Sequence, residues 1–114
     1  MTWNSQGTSV PATKAWVAVK KAVTTPGTCV AIAASETLVR KAILQAGRSD
    51  ANNTGLVYIG TSDVDKTSNR MIELAVGETA TLIDEQGGTA FDLAKWYVDA
   101  VTASDGVRGV YLPK

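Results

Sequence analysis

The chain has 114 residues, 45% of them hydrophobic and 19% charged, and its eleven basic and eleven acidic side chains cancel to zero. That length suits one domain burying roughly two-thirds of the surface its unfolded chain exposes, and the composition excludes a disordered chain. No apolar run approaches the about 20 residues that cross a bilayer, and lone Cys29 cannot form an intrachain disulfide.

The opening "MTWNSQGTSV" lacks the basic and apolar regions of a signal peptide, so the mature chain is expected to begin near Met1. Residues 1–27 hold Trp3 and Trp16 among Ser, Thr, Gly and Asn, punctuated by Pro11 and by "TTPG". They read as an extended N-terminal arm. Within it, "ATKAWVAVKKAV" alternates as a strand does, and its two tryptophans are expected to dock onto something rather than sit in water. Before Glu36 there are three lysines (Lys14, Lys20, Lys21) and no acid, whereas eleven acids face eight bases afterwards. The asymmetry suits an arm lying on a neighbouring copy, or a solvated face, and falls short of a nucleic-acid footprint.

From residue 28 onwards the pattern is that of short strands. "TCVAIAAS" is rich in β-branched residues, and "TLVRKAILQA" fits either a strand or a helix stripe, the turn-rich "GRSDANNTG" after it favouring the strand. "LVYIG" is a strand with Val57 and Ile59 on one face and Tyr58 on the other, expected at the surface. After a polar loop at 61–70, "MIELAV" and "TATLIDE" form two extended runs, with Gly77 supplying the turn between them and Gly87-Gly88 ending the second. "FDLAKWYVDAV" is ambiguous between strand and helix. "SDGVRGVYL" carries Asp105-Gly106, a strong hairpin signal, before a closing strand. The expected fold is all-β: a β-sandwich or small antiparallel barrel over 28–114 behind the arm at 1–27.

Candidate chemistry is sparse. The chain has no histidine, which removes Ser-His-Asp and Cys-His catalysis and the commonest zinc ligand. Cys29 reads as a small buried hydrophobe within an apolar strand. Asp63, Asp65, Thr67 and Asn69 match the oxygen-ligand spacing of a calcium loop, but Ser68 and Leu74 stand where that loop requires glycine and glutamate. Asp84, Glu85, Asp92 and Asp99 read as turn and edge residues, since paired catalytic acids are defined by separation in space. No phosphate-binding glycine loop is present. The expectation is a protein without catalytic residues, metal or cofactor.

The order of the pieces is more telling. Arg40 to Ala42 opens a basic-apolar strand, Val57 to Gly60 spell "VYIG", and Leu74, Gly77 and Glu78 form an "L-x-x-GE" turn before a Thr-rich strand. Tyr97, Val98 and Ala100 form "YV-x-A", and Tyr111-Leu112 closes the last strand. Residues 38–112 thereby resemble small β-sandwich domains in virion proteins of tailed bacteriophages, including capsid decoration (cement) proteins and head-fibre or tail accessory proteins. The first 27 residues have no counterpart in that pattern. The resemblance implies a non-enzymatic structural protein, made in the host cytoplasm and carried on the capsid surface. Its expected partners are the major capsid protein and further copies of itself, with no membrane or nucleic acid. Trp3, Trp16, Lys20, Lys21 and Tyr58 are the expected partner-binding residues. The alternative is a carbohydrate-binding module of a fibre or tail accessory protein, with Tyr58, Tyr97 or Tyr111 stacking on a surface glycan.

Overall fold

In the computed structural model, the described residues are 15–48, 51–64, 71–83 and 90–114. They form nine strands in two antiparallel sheets packed face to face, so the all-β sandwich expected from the turn spacing is what the chain adopts. In chain order the strands are β1 (Val17–Ala22), β2 (Val30–Ala31), β3 (Leu38–Ala46), β4 (Val57–Gly60), β5 (Ile72–Leu74), β6 (Thr79–Ile83), β7 (Phe91–Asp92), β8 (Tyr97–Ala100) and β9 (Gly106–Pro113). The first sheet runs β1-β9-β3-β6, with β7 on the start of β3; the second runs β2-β8-β4-β5.

The periodicity of β3 explains its position. Ala42, Leu44 and Ala46 alternate inward and are buried, while Lys41, Ile43 and Gln45 face out. Opposite them, Val57, Ile59, Leu74, Val98 and Ala100 project from the second sheet to complete the core. The alternation breaks once, at the β3–β9 register shift between Leu112 and Pro113. Beyond it Val39 is buried and Leu38 is exposed, reversing the inward placement that strict alternation predicts for Leu38.

"FDLAKWYVDAV" resolves into β7, a 3₁₀ turn (Leu93–Lys95) and β8. Asp92 caps that turn by accepting from the backbone N–H groups of Ala94 and Thr37, each at 2.9 Å. These bonds hold its carboxyl below the ordinary range. "TCVAIAAS" yields only the two-residue β2; Cys29 lies outside the strand, half-buried, with Sγ 3.1 Å from the Ser62 carbonyl oxygen.

Two turns differ in use from their sequence signatures. Gly77 has φ +81°, as a glycine turn requires, within a turn in which the Glu78 amide donates to the Ala75 carbonyl at 2.9 Å. It carries the chain from the second sheet to the first rather than closing a hairpin. Asp105-Gly106 is likewise no hairpin: β8 and β9 belong to different sheets, and the left-handed residue is Ser104, φ +75°. Part of the stretch expected in the arm is sheet: β1 pairs with β9 from Val17 to Ala22 and Val23 is fully buried in the core. Residues 17–27 therefore belong to the sandwich. Trp3, Gly87-Gly88 and much of the 61–70 loop lie outside the described residues.

Candidate functional site

One end of the sandwich gathers side chains that the sequence keeps far apart. β3 leaves the first sheet at Ala46 and turns sharply, with Gly47 bridging to Asn52 and the Arg48 amide donating to the Ala51 carbonyl at 2.8 Å. Arg108, on the outer face of β9, lies across this corner. Its Nη1 donates to the carbonyls of Arg48 (2.8 Å) and Ala51 (2.9 Å), and its Nε to Gln45 Oε1 at 3.2 Å. A Cβ at position 47 would sit 2.8 Å from the guanidinium carbon, so only glycine lets Arg108 lie flat there.

Behind the corner lies Asp105, whose side chain is fully buried. Its carboxylate accepts from Arg48 Nε (2.9 Å), the Gly55 amide (2.8 Å), and both the amide and hydroxyl of Thr54. Burial alone pushes the Asp105 carboxyl up, but Arg48 and the Thr54 and Gly55 donors outweigh it and hold the group below its ordinary value. Beside it, Asn53 imitates a strand: its Nδ2 donates to the Gly106 carbonyl (3.0 Å) and its Oδ1 accepts from the Gly106 amide (3.2 Å). The 51–55 loop is thus pinned to the start of β9 by polar contacts that are buried and paired.

Against this corner, β1 completes a cleft of about 550 Å³ lined by Lys20, Lys21, Ala22, Gly47, Arg48, Ser104 and Val107. Comparison with protein-family models, with curated proteins and with solved structures returned no match to this chain.

The residues expected to bind partners are separated by the fold. Lys20 and Lys21 both line the cleft, Lys20 paired with Arg108 and Lys21 with Val107 in the β1–β9 ladder. Trp16 stands at the opposite end of β1, 46% exposed. It precedes Val17, which pairs with Tyr111, so continuing the register sets it beside Leu112 on the outer face of the first sheet. Tyr58 is corrected: it is 3% exposed. It lies between Glu73 and Asp99 on the outer face of the second sheet, where the Gly27 amide also donates to Asp99 Oδ1 at 2.9 Å. At this position period-two alternation does not lead to solvent. Tyr97, Tyr111 and Trp96 are partly buried, the last two against the core. Asp63 accepts from the Thr61 hydroxyl at 2.9 Å, a loop cap. Among the described residues no group of three His, Cys, Asp or Glu is placed to hold a metal; Asp65, Thr67, Asn69, Asp84 and Glu85 lie outside them.

Arg48, Arg108 and Asp105 escape sequence reading. Arg48 sits in a loop that composition marks only as turn-rich, and its carboxylate partner is 57 positions away. The available signal was the Asp-Gly pair, which suggested a hairpin instead of a buried acceptor.

Proposed function

We propose that this chain is a non-enzymatic structural protein of a tailed-phage virion, a decoration protein that binds the outer capsid surface and reinforces the shell. The observation that carries this reading is an apolar group at one end of the first sheet, on its outer face. Trp16, Leu38 and Ile83 are exposed there, Ile83 to 50%, around Leu112 and Lys41. Single exposed apolar residues are ordinary, but a tryptophan carried beside a rigid strand among other apolar side chains has the character of an interface anchor. The resemblance of residues 38–112 to small virion sandwiches supports the same reading.

The mechanism is area buried at junctions between capsid subunits, which stabilises the assembled form by mass action. A repeating lattice makes modest single contacts effective. Lys20 and Lys21, on the strand that follows the tryptophan, tune rate and register more than affinity. The glycan-binding alternative loses its Tyr58 platform to burial.

Cosedimentation with capsids assembled from the major capsid protein of the genome that encodes this chain tests the proposal. The expected result is a fixed copy number per capsid, with Trp16→Ala weakening binding about tenfold or more and Lys20→Ala weakening it less. No association with capsids, or binding unchanged in Trp16→Ala, refutes it.

A further inference from the structure

The cleft at the Gly47–Arg48 corner breaks a rule that the rest of the sandwich obeys. Lys20, Lys21 and Arg48 all line it, and among the described residues the carboxylate engaged there, Asp105, is buried and held by Arg48, Thr54 and Gly55. Lys20 also stands directly opposite Arg108 in the β1–β9 ladder. Like charges at opposed positions of antiparallel strands destabilise a sheet. The hydrogen bonds of Arg108 do not relieve this, since they run to neutral oxygens: the Arg48 and Ala51 carbonyls and the side-chain amides of Gln45 and Asn52. Local violations of this kind are expected where function demands them.

The Arg48 guanidinium is set for a ligand. Asp105 holds it through Nε, while Nη2 reaches the Ala103 carbonyl only at 3.4 Å, and the side chain is 33% exposed. The guanidinium is therefore oriented from behind, on a residue that lines the cleft. A guanidinium fixed in this way suits two parallel bonds to an anionic oxygen pair, and neighbouring ammonium groups add charge without demanding geometry.

We infer that the cleft between β1 and the Gly47–Arg48 corner is an oxyanion-binding site, in which Arg48, Lys20 and Lys21 hold a phosphate or carboxylate group. The oxyanion places negative charge beside the Lys20–Arg108 pair and so offsets its repulsion. This inference does not depend on the virion reading.

The test is a titration of the full chain in low-salt buffer, followed by amide and guanidinium NMR and by thermal melting. Three additions are compared: inorganic phosphate, a tetraglutamate peptide, and sodium chloride at matched ionic strength. Saturable shifts at Lys20, Lys21, Gly47 and Arg48, including Arg48 Nε–H, are expected with phosphate if the natural source is a free oxyanion. They are expected with the peptide if the source is an acidic polypeptide. Lys20→Gln should raise the ligand-free Tm by about 1–4 °C, because it removes the opposed charge, while weakening anion binding about fivefold or more. Lys21→Gln should weaken binding without that gain in Tm. Absence of saturable shifts with both probes overturns the inference. So does the same response to sodium chloride alone, or wild-type binding in both variants.

Discussion

Asp105→Ala should be among the most damaging single substitutions in this protein. The carboxylate is fully buried and is the shared acceptor for Arg48 Nε, the Thr54 amide and hydroxyl, and the Gly55 amide. Breaking a buried ion pair from one side costs about 3–5 kcal/mol, and each buried donor left unpaired about 1–3 kcal/mol. Arg48 is one-third exposed and can turn to water, so the low end applies, about 3 kcal/mol for the whole change. At an unfolding entropy of about 2.1 cal/mol/K per residue, this lowers the Tm by roughly 12 °C. Urea denaturation at pH 7 measures the loss directly. The same site sets an acid limb. The folded-state pKa of Asp105 lies below its ordinary 3.8, so the unfolded chain binds more protons in that interval. Its contribution is complete well above 3.8 and is lost as pH falls through the lower, folded-state value. Asp105→Asn, which keeps one acceptor but no charge, should flatten that limb. A loss below about 1 kcal/mol for Asp105→Ala, or an acid limb unchanged in Asp105→Asn, would show that the loop is held by other contacts.

The other predictions concern the turn and the first strand. Gly77→Val should cost about 1–2 kcal/mol in urea denaturation, from backbone strain alone, since a Cβ at this φ of +81° meets no neighbour within 4 Å; an unchanged midpoint would refute it. Deleting residues 1–22 removes β1 and uncovers the edge of β9, so that chain should melt well below one lacking only 1–14, or aggregate. Equal melting of the two truncations would mean that β1 contributes nothing to the sandwich.

The fold was legible where local pattern and tertiary role coincide. In β3, Ala42, Leu44 and Ala46 alternate because one face of that strand meets the second sheet, and the turn-rich stretch after it limits its length. Gly77 announced its positive φ because threonine-rich extended chain follows it immediately. The expected arm at 1–27 takes in β1 for a reason of the same kind. An edge strand buries little, and most of β1 is exposed or half-exposed, so its sequence carries only a faint version of the core signal.

The sequence by itself determined that the chain makes short strands joined by glycine and proline turns, because β-branched alternation and the left-handed freedom of glycine act over a few residues. It also marked Trp16, Lys20 and Lys21 as side chains of an opening segment with no acidic residue. Only the tertiary structure decided which sheet each strand joined, and with that everything at the cleft. Asp105 is a buried acceptor because its turn crosses between layers and meets Arg48 and Thr54, 57 and 51 positions away. Tyr58 is buried on the outer face of the second sheet, where the Gly27 amide also reaches its neighbour Asp99 across 72 positions. Contacts at such separations depend on how two sheets stack and which connections cross their faces, and no periodicity within one strand encodes that.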